Sequence, residues 1–289
     1  MHLKKYKGIL SAQNGMNISR GCLHGCIYCD SRSICYQINH DFEDVEIKVN
    51  APELLEEALR KKRKKCMIGT GAMSDPYIPI PENLKKIRQC LEIIEKYGFG
   101  LSILTKSNLI LRDLDILKKI NKKAKCVVQM TLTTYDEELC KIIEPNVATT
   151  KERFKVLKIM RENGIETVVW VCPILPYIND TPENINGIMD YCIEAEVNAI
   201  LVFNMGMTLR EGDREYYYKK LDQHFPGLKE QYKKRYGNSY GILSPRNKEL
   251  MQLLYRRCAG TDILCGSNDV FKYLQTFVDK TEADQLELF

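Results

Sequence analysis

The chain has 289 residues and 44% of them are hydrophobic, which suffices for a barrel-sized core with an appendage. Its net charge of +5 and pI near 8.5 suit a polyanionic partner, but fall short of the pI above ~9 expected of a dedicated nucleic-acid-binding domain. No stretch approaches the ~18 consecutive apolar residues of a membrane span, and the basic start MHLKKYKGIL lacks the apolar run of a secretory signal. Twelve cysteines without such a signal point to a reducing cytoplasm.

In chain order, a short strand is expected near residues 16–18, followed at once by a loop holding Cys22, Cys26 and Cys29. An amphipathic helix should begin at Pro52, with Glu53, Glu56 and Glu57 at its front and the basic run 60–65 at its back. Acid first and base last complement the helix dipole, so that run reads as a solvated helix end. Apolar, strand-like runs then recur at 66–71, 100–105, 126–132, 167–175 and 199–206. Between them lie helical patterns near 82–97, 112–121, 149–163 and 182–195. Gly98 and Gly164 stand where helix C-caps are expected, and Asp180-Thr181-Pro182-Glu183 is a helix start. Strands alternating with helices predict a parallel sheet with crossover helices. The cysteines within these runs (Cys66, Cys126, Cys172) read as small packing residues.

Beyond residue 207 the alternation stops, and a helical extension is expected over 207–278. About half of the chain's aromatic residues fall there or in the tail, many of them tyrosines interleaved with Lys and Arg. Such a mixture can stack bases and hold a phosphate backbone, or simply pack helices against the barrel. Residues 279–289 read as a polar tether ending in Gln285-Leu286-Glu287-Leu288-Phe289.

The cysteine spacing Cys-x3-Cys-x2-Cys carries the chemistry. Thiolates are soft ligands that suit iron–sulfur clusters and zinc. Three on one loop can hold three corners of a cubane cluster, whose usual protein ligand count is four, and leave one iron open. A structural zinc site with His24 as fourth ligand is the alternative, although zinc prefers two separated cysteine pairs. The loop, including Tyr28 before the third cysteine, resembles the signature of radical S-adenosylmethionine (SAM) enzymes. The resemblance implies a partial (β/α)6 barrel over residues 1–206, a 4Fe-4S cluster on Cys22, Cys26 and Cys29, and SAM on the open iron. Reductive cleavage of SAM there yields a 5′-deoxyadenosyl radical, chemistry that no side chain supplies alone. An external one-electron donor of the flavodoxin or ferredoxin type is implied as well.

Further segments narrow the resemblance to the spore photoproduct lyase-like, or DNA repair photolyase-like, branch: SDPY at 74–77, LTKS at 104–107, IEPNVATTKER at 143–153 and CPILPYIND at 172–180. Carried over by position, Lys106 would pair with the carboxylate of SAM, Ser74 would bond its methionine end, and Thr131 would hold the ribose. Two positions depart from the branch. Ala72 stands where the lyase has a hydrogen-donating cysteine, and Asp30 where it has a relay tyrosine. The lyase relay therefore cannot operate here, although Tyr28 is retained and Cys35 is the candidate for a hydrogen source from elsewhere. The expected substrate is nucleic acid, with a DNA lesion or modified base foremost. A peptide or small-metabolite substrate is the second reading, and a zinc-stabilised DNA-binding adaptor the third. The tail resembles the peptide by which repair proteins dock on the bacterial sliding clamp, through Gln285, Leu286, Leu288 and Phe289.

Overall fold

A computed structural model describes residues 1–281; Gln285, Leu286, Leu288 and Phe289, and with them the clamp-docking expectation, lie outside the described residues. Seven parallel strands form the central sheet: β1 (Gly15–Met16), β2 (Met67–Thr70), β3 (Gly100–Thr105), β4 (Cys126–Thr131), β5 (Glu166–Trp170), β6 (Ala199–Leu201) and β7 (Leu264–Cys265). They lie side by side in sequence order, each hydrogen-bonded to the next. All six residues of β4 are buried, as a parallel strand covered on both faces requires. The α/β architecture is the expected one, with one strand more than the six units anticipated. That strand, β7, comes from the C-terminal region and pairs with β6 through Leu264–Ala199 and Cys265–Ile200.

The crossover helices are α1 (Ala51–Lys61), α2 (Pro81–Tyr97), α3 (Leu114–Lys123), α4 (Glu137–Ile143), α5 (Thr150–Glu162) and α6 (Pro182–Glu194). Their ends follow local chemistry. Thr149 and Glu152 form a capping box at α5, Thr181 accepts from Asn184 N at 3.1 Å to start α6, and Gly98 ends α2 at φ +65°. Helix α1 stops at Lys61, so residues 62–65 of the basic run occupy the following turn; Arg63, Lys64 and Lys65 are solvent-exposed. Three strand boundaries depart from expectation. The sheet releases the chain after Trp170 and after Leu201, and the expected strand at 16–18 is only Gly15–Met16.

The C-terminal region adds α7 (Asp213–His224), α8 (Leu228–Tyr236), α9 (Asn247–Cys258) and α10 (Ser267–Gln275). Strands Gly206–Thr208 and Gly241–Leu243 pair antiparallel within it. A Cβ on Gly206 would lie 2.0 Å from the Ile242 carbonyl oxygen, so only glycine permits this approach. Packing accounts for three of the tyrosines offered for base stacking. Tyr217, Tyr218 and Tyr232 are buried with Ile27, Tyr28 and Leu175, and the Tyr232 hydroxyl donates to the Pro176 carbonyl at 2.7 Å. Tyr240 and Tyr255 remain exposed. Among the described residues, no helix is long and apolar enough to cross a membrane.

Asp213 opens α7 with 2% of its surface exposed and, among the described residues, no hydrogen-bond partner on either carboxylate oxygen. Burial, reinforced by the Asp30 charge, pushes its carboxyl up to about 8. The unfolded chain releases this proton near pH ~4, so between there and about 8 the native state binds more protons and stability falls as pH rises. Asp213→Asn, which cannot ionise, should therefore gain on the parent by up to about 1 kcal/mol per pH unit across that window. Thermal melts at pH 5 and pH 8 check this; an equal gap at both would contradict it.

Candidate active site

At the C-terminal edge of the sheet, the strand-end loops and the Gly206–Thr208/Gly241–Leu243 pair enclose a cavity of about 700 Å³. Cys22, Cys26 and Cys29 line it, and so do Tyr28, Ser74, Lys106 and Thr131. The structure thus gathers seven of the sequence-derived site residues in one place, as a β/α fold with its chemistry on strand-end loops should. Cys35 is not among them: it is exposed, outside the lining, and accepts from Arg210 Nη1 at 3.2 Å.

The cysteine loop is fixed from two sides. On one, Cys22 N donates to the Phe42 carbonyl at 3.0 Å, and Gly21 (φ +83°) passes so close that a Cβ there would lie 2.4 Å from that oxygen. On the other, the connector between α4 and α5 holds the loop. Ile27 N donates to Ile143 O at 3.0 Å, Asn146 N to His24 O at 3.1 Å, and Asn146 Nδ2 to Leu23 O at 2.9 Å. Beneath it the Tyr28 hydroxyl donates to Glu144, which is paired with Arg153. The Arg153 guanidinium also donates to Ala148 O at 2.8 Å and, through Nη1, to Thr131 O at 2.6 Å. Burial opposes the Glu144 carboxylate, but the charges of Arg153 and Lys106 hold its pKa down. Sequence reading quoted the IEPNVATTKER segment without assigning its members a role. The sequence carries little signal for the pair: Glu144 follows Ile142-Ile143, but Arg153 stands beside Lys151, Glu152 and Lys155 and looks like a surface residue.

Asp75 ties the strand ends together. It accepts from Tyr77 N at 2.8 Å, Thr105 Oγ1 at 2.7 Å and Lys106 N at 2.8 Å, with His24 Nδ1 3.5 Å away. Ser74 donates to Gly21 O at 2.7 Å and meets Ser19 Oγ at 2.9 Å, so its hydroxyl braces the cysteine loop. Lys106 Nζ makes no hydrogen bond among the described residues and lies 5.8 Å from the Tyr28 ring centroid. Burial works against this ammonium, yet Cys26 and Glu144 more than offset it and its pKa rises.

Burial pushes all three thiols up, Cys22 to about 12, so a soft metal must displace three protons on binding. Lys106 pulls Cys26 and Cys29 in the opposite direction. Three sulfurs on one loop with a cation beside them suit an anionic iron–sulfur cluster and a carboxylate ligand of its open iron. Cys172, read from sequence as packing, also lines the cavity, where burial raises its thiol to about 12 and keeps it protonated. Its apolar neighbours in sequence disguised it. The strand ends at Trp170, and the chain turns toward the cavity at Cys172-Pro173. Ala72 lines the same cavity with a methyl group. Asp30 also lines the cavity, where Tyr36 Oη at 2.9 Å, Thr208 Oγ1 at 3.0 Å and Arg210 Nε at 3.2 Å engage its carboxylate.

Residues 16–192 match the Radical SAM superfamily, and the chain belongs to it. Its cofactors are accordingly a 4Fe-4S cluster and SAM, which sets aside the zinc reading of Cys22, Cys26 and Cys29. The fold is that of spore photoproduct lyase. The structure of that enzyme complexed with dinucleoside spore photoproduct superposes with a TM-score of 0.66 at 14% identity, covering 91% of this chain and 80% of the lyase. An uncharacterized protein of Methanocaldococcus jannaschii is 36% identical over 162 residues, 55% of this chain and 60% of that relative. The match therefore spans about three fifths of the relative's length. An uncharacterized protein of Mycobacterium tuberculosis is 27% identical over 245 residues, 82% of this chain and 71% of the relative.

The placement of Lys106 makes a specific prediction. Lys106→Ala should weaken SAM binding roughly 10- to 150-fold, the equivalent of losing a charge-assisted contact of ~1.5–3 kcal/mol. The cluster's visible absorbance should be unchanged. Equilibrium binding of SAM to the anaerobic, reconstituted protein measures it, and parent-like affinity would remove Lys106 from the SAM site.

Proposed function

We propose that this radical SAM enzyme acts on nucleic acid, with a DNA lesion or a modified base as substrate. The observation that carries the reading is an aromatic wall on the cavity. Phe203 lines the cavity yet is 48% exposed, and packs edge-on against Trp170 with ring centroids 6.2 Å apart. Trp170 is fixed in turn, since its Nε1 donates to Gln129 Oε1 at 2.7 Å. An exposed ring held on a rigid support beside the reactive centre offers a face on which an extruded base can stack. The likeness of the fold to a lyase solved with a dinucleoside lesion agrees with this reading.

When bound, the cluster and SAM supply a carbon-centred radical able to abstract hydrogen. The chain's own part is to bind, orient and shield. Lys106 offers an ammonium to a carboxylate, Tyr28 and Glu144 brace the loop, and the Gly206–Thr208/Gly241–Leu243 pair covers the cavity. The test is an anaerobic reaction with mixed oligonucleotides in deuterated solvent, followed by mass analysis of nucleic acid and nucleoside products. Deuterium in the oligonucleotide, with binding that weakens steeply as salt rises, supports the reading. No binding to DNA or RNA at low salt would defeat it in favour of a peptide or small-metabolite substrate.

A further inference from the structure

A second group of ligand-type side chains lies behind the cysteine loop, on the small sheet formed by His2–Lys4, Glu46–Lys48 and Ser19–Arg20. His2, His40 and Asp44, all half-buried, each bring one ligand atom to within 4.8 Å of the others. The two imidazoles meet edge to face, with ring centroids 4.8 Å apart and planes at 88°.

The hydrogen bonds of these rings are those of metal ligands. His40 Nδ1 lies 2.9 Å from the Asp41 carbonyl oxygen, which accepts only, so Nδ1 carries the proton. That leaves a lone pair on Nε2, which is buried and has no hydrogen-bond partner among the described residues. A backbone carbonyl that fixes the tautomer and frees the other nitrogen is the usual support of a metal-bound histidine. His2 places Nδ1 2.9 Å from Asp44 Oδ2 and Nε2 3.3 Å from Glu46 Oε2. A neutral imidazole has one N–H and cannot donate to both carboxylates. Where Nε2 donates to Glu46, Nδ1 keeps a lone pair facing Asp44 Oδ2, and a cation can fill that place. Two cations meet the same carboxylates: the Met1 amine lies 2.9 Å from Asp44 Oδ1, which leaves Oδ2 facing His2, and Lys4 Nζ lies 2.9 Å from Glu46 Oε2.

We propose that His2 Nδ1, His40 Nε2 and Asp44 Oδ2 bind one divalent transition-metal ion of the zinc type, separate from the cluster, with Glu46 supporting His2 from behind. Two imidazoles and a carboxylate are a donor set that zinc accepts, with water as the fourth ligand. Small side-chain rotations bring the three atoms to the ~3.3 Å spacing of a tetrahedral site with metal–nitrogen bonds of ~2.0–2.1 Å. The metal holds the stretch that positions the first cluster ligand. His40 Cε1 is 3.7 Å from where a Cβ on Gly21 would stand, and the Phe42 carbonyl accepts from Cys22 N at 3.0 Å.

The test is metal analysis of untagged, cluster-loaded protein after exposure to zinc and removal of loose metal over a chelating resin. About one equivalent of zinc is expected besides the iron. His40→Gln and Asp44→Asn should each weaken zinc binding at least about 100-fold, more than the loss of a supporting group alone. The triple variant Cys22→Ala, Cys26→Ala, Cys29→Ala should lose iron and keep the zinc. Zinc no greater in the parent than in His40→Gln overturns the proposal, and so does a folded triple variant that has lost its zinc. Should the triple variant not fold, judged by circular dichroism, the comparison of parent with His40→Gln and Asp44→Asn in cluster-loaded protein decides.

Discussion

Arg153→Met should destabilise the protein by about 3–5 kcal/mol, the cost of leaving a buried carboxylate without its partner. For a chain of this size that is a fall of roughly 6–20 °C in melting temperature. The expectation follows from burial and valence together. Arg153 has no exposed surface, Glu144 is 1% exposed, and the guanidinium also serves the carbonyls of Ala148 and Thr131. The loss should reach the site, because Glu144 also receives the Tyr28 hydroxyl between Cys26 and Cys29. Cluster loading should therefore drop with stability. Pairing the change with Glu144→Leu should recover part of the loss, since removing both charges avoids the stranded one. Thermal melts of the two single variants and the double variant measure the coupling. A single variant melting within about 2 °C of the parent, less than 1 kcal/mol at this size, would show that the pair is dispensable.

Cys26→Ala should have the largest effect on activity. Iron content should fall from about four per chain to near zero, and 5′-deoxyadenosine formation under reducing conditions should vanish. Among the described residues, no other cysteine thiol stands ready at that corner, and His24 is engaged with Asp75 at 3.5 Å. Cys22 and Cys29 are committed to their own corners, Cys172 lies at the far strand end, and Cys35 is outside the cavity. Measuring iron and nucleoside product in anaerobically prepared protein checks both. Product at the parent rate would contradict the assignment of the cysteines.

Much of this was readable from residue order. Strands β2 to β5 appear as β-rich apolar runs, and helix starts such as Thr149 with Glu152 and Thr181 with Pro182 are written in four-residue windows. The cysteine triplet, Lys106 and Thr131 follow from motif and strand end. What escaped depends on partners far away in sequence. The run 199–206 reads as one strand, but only Ala199–Leu201 stays in the sheet, while Gly206–Thr208 turns to pair with Gly241–Leu243. Helix α4 is seven residues, too short for periodicity to register, and rests on the Asp136 cap, whose side chain accepts from Glu138 N and Leu139 N. Cys172 and the Glu144–Arg153 pair look like ordinary core and surface residues until the fold brings the first to the cavity and the pair beneath the cysteine loop.

The attachment of the cysteine loop to the connector between α4 and α5 sets an order of events in synthesis. The loop leaves the ribosome early, but Asn146 and Glu144, which grip it, lie 123 and 116 residues beyond Leu23 and Tyr28. At ~5–20 residues per second, the nascent loop waits roughly 6–25 s for the segment that shapes it. During that interval three thiols destined for burial are open to oxygen and stray metal. Iron delivered before Arg153 emerges meets an unformed site, so cluster insertion belongs after that point in synthesis, and slowing elongation between residues 30 and 153 should lower the iron content of the finished protein.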